Sequence, residues 1–159
     1  MSENSSELIS QLEKEGDIAA DYLEGLLDIA DLDGDLVVDV EGERALDSIT
    51  GADLSNLVGQ DGQVLNAIQD LTRLAVTRET GERSRLMIDI SGYRAARKAA
   101  LAELGFEACE RVKKTGEAVA LESMNPFERK VVHDAVAEAG LKSESEGEEP
   151  NRYVVVLPA

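Results

Sequence analysis

The sequence predicts an α+β protein of two small domains: an α-β-β-α-α-β domain, then a long helix that joins it to a β-α-β-β domain. Three observations predict it. The period of the apolar residues switches repeatedly between about 3.6, as over 10–30 and 64–75, and 2, as over 36–40 and 86–90. The chain is 159 residues long with 43% hydrophobic content, enough for one ordinary core or two small ones. After Gly116 a fresh set of strand, helix and hairpin signals begins.

Residues 1–9 are polar and acidic and are expected to form a flexible leader. Leu8, Leu12, Ala19, Leu23, Leu26, Leu27 and Ala30 recur at near-helical spacing and predict a helix over 10–30. Asp33 and Gly34 turn the chain into a strand whose Leu36, Val38 and Val40 share one face. The turn at Glu41, Gly42 and Glu43 leads back through a second strand near 46–49, giving a hairpin. A short helical turn over 54–58 stops at Gly59-Gln60-Asp61-Gly62, and Val64, Leu65, Ile68, Leu71 and Ala75 restart a helical stripe. Gly81 breaks that helix, and Leu86, Ile88 and Ile90 alternate with Met87 and Asp89 as a half-buried strand. This first domain covers 10–92.

A helix over 93–116 follows, with Ala96, Ala100, Leu104 and Ala108 expected inward and Arg111, Lys113 and Lys114 near the negative end of its dipole. The second domain, 117–159, opens with a strand over 118–121. Asn125 as N-cap, Pro126 at the first helical position and Glu128 at the third then make a strong helix start. Phe127, Val131, Ala135 and Ala139 are expected to face inward, and a closing hairpin is expected over 141–157.

The net charge is −17, opposite to the usual footprint of a nucleic-acid binder, but it is unevenly spread. Residues 1–50 hold 15 acids and 2 bases, whereas 51–100 hold 6 acids and 7 bases. A local positive face is therefore compatible with an acidic chain. With no Trp, two Phe and three Tyr, a broad aromatic platform for bases is not expected. The single cysteine, Cys109, has no partner for a disulfide and reads as a buried helix residue. The N-terminus has neither a basic region nor an apolar core of a signal peptide, and no apolar run approaches a membrane span, so a cytoplasmic protein without membrane insertion is expected. One His, one Cys and no set of nucleophile, base and orienter argue against an enzyme, a small-molecule substrate or a cofactor. Asp31, Asp33, Asp35 and Asp39 imitate a calcium loop, yet Leu36 falls where its glycine must be, so a solvated turn is the better reading.

Two motifs carry chemistry. A Gly-x-x-Gly turn between helices lets the backbone approach a phosphate while the next helix aims its first N–H groups at the anion. Such glycines more often serve only as turn formers, and Asp61 in the loop repels phosphate. Asp61 would also suit a cap on the following helix. Arg129 and His133, four apart, share a helical face with Lys130 beside them, a suitable pair for phosphate and base; the bland alternative is an exposed Arg and a satisfied surface His.

The element order around Gly59 and Gly62 resembles a type II KH domain. The stretch Glu122-Ser123-Met124-Asn125-Pro126-Phe127-Glu128-Arg129-Lys130-Val131-Val132-His133 resembles the R-three-H domain, named for an Arg and a His separated by three residues, and Ser145-Glu146-Gly147-Glu148-Glu149-Pro150-Asn151-Arg152 resembles its second signature. The combination is similar to the Jag family of bacterial RNA-binding proteins. That resemblance implies binding of single-stranded RNA, action as a post-transcriptional regulator or RNA chaperone linked to cell elongation and envelope growth, and pairing with a separate small KH-domain protein. The RNA-binding residues it implies are Gly59, Gln60 and Gly62 in the loop and Arg129, Lys130, His133 and Arg152 in the second domain; since Gln60 and Asp61 stand where KH loops commonly carry a Lys or Arg, Arg73, Arg83 and Arg85 are expected to supply attraction from the groove edges. The alternative is an acidic adaptor whose KH fold serves mainly protein–protein contacts.

Overall fold

The computed structural model describes residues 3–159, which divide into two compact units, 3–94 and 95–159. The boundary falls in the first turn of the helix expected to join the domains. From Ala95 onward that helix is counted with the second unit.

The first unit runs α1 (Glu3–Ala30), β1 (Asp35–Glu41), β2 (Arg44–Thr50), α2 (Ser55–Val58), a 3-10 turn (Gln60–Gly62), α3 (Gln63–Thr80) and β3 (Met87–Ile90). The α-β-β-α-α-β order is as expected, with one difference at the start. Residues 3–9, read as a leader, are the first turns of α1, because no glycine or proline stops the helix and Glu3 suits its positive end. Met1 and Ser2 lie outside the described residues.

β1 and β2 form the antiparallel hairpin, and β2 continues into a parallel pairing with β3, giving sheet order β1-β2-β3. A parallel neighbour requires a crossover, which α2 and α3 provide. Ala45, Asp47 and Ile49 of β2 and Ile88 and Ile90 of β3 point inward to meet Leu23 and Leu27 of α1 and Leu65, Ile68 and Val76 of α3. The buried stripe of α3 is thus Leu65, Ile68, Gln69, Thr72 and Val76, rotated from the expected one, and Val64 and Leu71 face out. Two adjacent apolar columns run along this helix, and only packing decides which is covered.

The outer edge of β3 is closed by side chains from the helices. Arg73 Nε donates to the Leu86 carbonyl at 2.7 Å, Gln69 Oε1 accepts from the Ile88 N–H at 2.9 Å, and Arg94 Nε donates to the Ile88 carbonyl at 2.6 Å. An edge satisfied in this way offers no open ladder for another strand.

The second unit contains nearly all of α4 (Tyr93–Thr115), then β4 (Val119–Ser123), α5 (Pro126–Glu138), β5 (Lys142–Glu146) and β6 (Tyr153–Leu157). β6 is the central strand of a β4-β6-β5 antiparallel sheet, which explains why Val154, Val155 and Val156 are all buried. α4 packs through Leu101, Ala108, Cys109 and Val112, while Ala96 and Ala100, expected inward, are exposed. Gly105 lets α4 approach α5 closely: a Cβ built there would lie 3.1 Å from that of Ala135. The capping box at α5 forms as expected, with Asn125 Oδ1 accepting from the Glu128 N–H at 2.8 Å and its amide donating to the Glu128 carboxylate at 2.6 Å. Phe127 differs from expectation, since it remains 41% exposed at the second position of that helix.

Candidate nucleic-acid interface

In the first unit the glycine turn is built by backbone needs. Gly59 and Gly62 have φ of +73° and +75°, and a Cβ on either would fall 2.5 Å from Val64 Cγ2 or 2.7 Å from Tyr93 Cε1. Any other residue would be strained at both positions. Asp61 also takes a left-handed conformation, and Gly62 occupies the N-cap position of α3 with no side-chain cap, so the expected capping role of Asp61 is not observed. Gln60 is exposed beside it.

The arginines expected at the groove edge gather elsewhere. Arg73, Arg83 and Arg85 line an open depression of about 530 Å³ together with Ser84 and Arg44. Arg73 sits ten residues into α3, roughly 15 Å along its axis from the glycine turn. The structure therefore brings three of the expected cations together, adds a fourth, and leaves Gly59, Gln60 and Gly62 out of the cluster. Arg44 escaped sequence reasoning because its neighbours come from a parallel pairing: Leu46 pairs with Met87, so that Arg44 and Arg85, each two residues earlier, lie toward the same end of the two strands. Its one signal was its scarcity, as a base among fifteen acids in the first fifty residues.

Arg73 is half-buried, and its second guanidinium nitrogen reaches the Arg85 carbonyl and Met87 Sδ. Burial pushes its pKa down, Asp70 opposes that, and the charges of Arg44, Arg83 and Arg85 push it down further. Arginine stays cationic through such a shift. The cluster is thus a set of like charges close enough to repel, and an anion in the depression would relieve the repulsion.

In the second unit Arg129 is 7% exposed. Its Nη1 donates to the Met124 carbonyl at 2.7 Å and its Nη2 to Glu149 Oε1 at 2.5 Å. Both ends of the guanidinium are occupied within the fold, so Arg129 ties the start of α5 to the 147–152 turn. His133 lies half-buried one helical turn on. Its Nδ1 is 2.6 Å from Ser143 Oγ and its Nε2 2.9 Å from Ser145 Oγ, both on β5. Burial pushes the imidazole pKa below its ordinary value, Arg129 and Arg152 add to this, and Asp134 opposes. The ring is therefore neutral at pH 7 and works as a hydrogen-bonding group.

His133, Lys142, Ser143, Ser145 and Arg152 line an open groove of about 700 Å³, and the carboxylates of Asp134 and Glu144 line it too. Arg152 reaches the Ser145 carbonyl at 3.5 Å, and its Nε–H is buried with no partner. Lys130 is exposed and pairs with Asp134 at 3.1 Å. Of the expected residues, His133 and Arg152 meet in the groove, Lys130 stands outside its lining, and Arg129 lies beneath the surface.

A family model, that of the R-three-H domain, matches residues 99–158, the segment that holds the capping box, His133 and this groove. Over 143 residues the chain is 34% identical to a protein of Clostridium symbiosum called RNA-binding protein KhpB, and over 138 residues 33% identical to the Bacillus subtilis protein of the same name. The second unit thus matches an R-three-H domain, and over most of its length the chain is similar to these RNA-binding proteins. These alignments cover 88% and 85% of it but 64% and 66% of the two relatives, and a Streptococcus pneumoniae relative is 28% identical over 85% of this chain and 42% of its own. The chain thus spans somewhat less than two thirds of the length of the first two relatives and under half of the third. These relatives are named for RNA binding. Among the described residues no helix is long and apolar enough to cross a membrane, and no group of three or more His, Cys, Asp or Glu is arranged to hold a metal ion.

Proposed function

We propose that this chain binds single-stranded RNA, the first unit acting as a KH-type module and the R-three-H unit as a second contact. One observation carries the reading: in a chain of net charge −17, four arginines converge on one depression of the first unit. Concentrating like charge against the average is costly unless an anion is the ligand, and guanidinium groups suit phosphate by bidentate geometry. The R-three-H groove supplies Lys142 and Arg152 for phosphate and His133 with its two serines for polar edges. Arg129 acts by holding the turn that leads to Arg152, and the glycine turn acts by its backbone. Family likeness extends the proposal to post-transcriptional control or RNA chaperoning in the cytoplasm, tied to cell elongation.

The test is fluorescence anisotropy with a labelled single-stranded RNA across a range of salt. Each neutralised phosphate contributes about 0.7 to the slope of log affinity against log salt. Arg83→Ala with Arg85→Ala should lower the slope by about 1.4. A flat salt dependence in the unaltered protein refutes the proposal.

A second reading, an adaptor that pairs with a separate small KH-domain protein, is favoured by α3, where Leu71 and Leu74 are 54% and 66% exposed within one turn of each other. Leu74→Glu that abolishes co-elution with such a partner, at unchanged RNA affinity, would separate the two activities.

A further inference from the structure

Phe127 is exposed for a reason of geometry. Val131, Val132, Ala135 and Val136 occupy the inward arc of α5, and at 3.6 residues per turn Phe127 falls outside it. It shares the outward arc with Lys130 and Asp134, and His133 stands at the opposite edge of that arc, about 120° around the helix and about 9 Å further along the axis. Among the described residues the second unit has one other exposed large aromatic, Phe106, which lies on α4; that helix lends no residue to the groove. Phe127 is outside the groove lining, but it is the exposed aromatic ring of α5 and lies in helical phase with Asp134, a lining residue two turns further on.

A single strand whose phosphate sits by Lys142 and Arg152, and which follows α5 toward its N-terminus, would bring a later nucleotide to Phe127. A flat apolar ring there suits one kind of contact, stacking against an unpaired base. Phenylalanine has no hydroxyl to satisfy, so it accepts any base through its π-face. A duplex presents its bases already stacked and hides those faces.

We propose that Phe127 is the stacking platform of the R-three-H unit, receiving an unpaired base of the strand whose backbone lies in the His133–Arg152 groove, and that it makes this unit prefer unpaired RNA. The proposal rests on the RNA-binding reading above and adds a base contact to the backbone contacts.

The full chain is titrated with a labelled oligouridine and with the same backbone made abasic at its central positions. The unaltered protein should favour the base-containing strand by about tenfold, the value of a stacking contact near 1.4 kcal/mol. Phe127→Ala should bind both strands at the abasic level with an unchanged salt slope. Phe127→Trp should keep the preference, and as the chain has no other Trp its emission should be quenched as RNA saturates it. Because the ring is exposed, thermal melts of both variants should match the unaltered protein. An unchanged preference in Phe127→Ala, or a tryptophan indifferent to RNA while binding remains intact, overturns the stacking role alone. Absence of RNA binding by the unaltered protein overturns the RNA reading and this inference with it.

Discussion

Replacing Asp47 with Asn should stabilise the first unit at neutral pH and above, progressively more than under mild acid. Asp47 occupies the middle of the inward row of β2, fully buried, and neither carboxylate oxygen has a hydrogen-bond partner. α1 crosses above it so closely that a Cβ on Gly16 would lie 3.1 Å from Oδ1. Burial, helped by the charge of Asp17, pushes its pKa up from 3.8 to about 7. The folded state then holds a proton that the unfolded chain has released, so stability is full below pH 3.8 and is lost as pH rises towards 7. Each pH unit in that window is worth about 1.4 kcal/mol, on the order of 4 kcal/mol in all. Asparagine copies the shape of the neutral acid and has no proton to lose. Because the pI is about 4.3, the comparison is best made from about pH 5.5 to 8, where roughly 2 kcal/mol of the difference falls. Urea denaturation followed through resonances of Ile49 and Ile88, both in the same core, reads it directly. A variant-to-wild-type difference that stays constant within about 0.5 kcal/mol over that range, a fraction of what linkage requires, would refute the reasoning.

Arg129→Ala should lower the stability of the R-three-H unit by about 2 kcal/mol, because the Met124 carbonyl loses its buried donor and Glu149 its partner. For a unit of this size that is a fall of roughly 10 °C in melting temperature by calorimetry. A variant that loses RNA affinity at an unchanged melting temperature would instead make Arg129 a direct RNA contact. Gly62→Ala should cost about 2 kcal/mol in urea denaturation, and Gly42→Ala, equally left-handed but with nothing within 4 Å of the new Cβ, about half as much. Equal costs would mean that the contact with Tyr93 is not tight.

Much of the architecture was legible because it rests on local rules. The hairpin turn at Gly42, the stop at Gly81, the alternation of Leu36, Val38 and Val40, and the box of Asn125, Pro126 and Glu128 each follow from a residue's own backbone preference or from neighbours three or four positions away. The same locality explains why α1 was started too late: a polar opening sequence carries little signal to set against a helix that simply continues.

Function was legible in part for a related reason. The sequence alone determined that the chain folds as α+β, that Gly59 and Gly62 mark a tight turn, and that the residues around His133 form a capped helix of R-three-H type. Tertiary structure alone decided which of two apolar columns on α3 is covered and that Phe127 stays outside. It also decided that Arg44 joins Arg73, Arg83 and Arg85 across a parallel strand pair, and that Arg129 serves the fold while His133 and Arg152 line the groove. The physical reason is range. Turn, cap and period are short-range properties of the chain, whereas burial and charge clustering depend on which distant segments are brought together, and an arginine reads the same in sequence whether it ends beneath a helix or beside a groove.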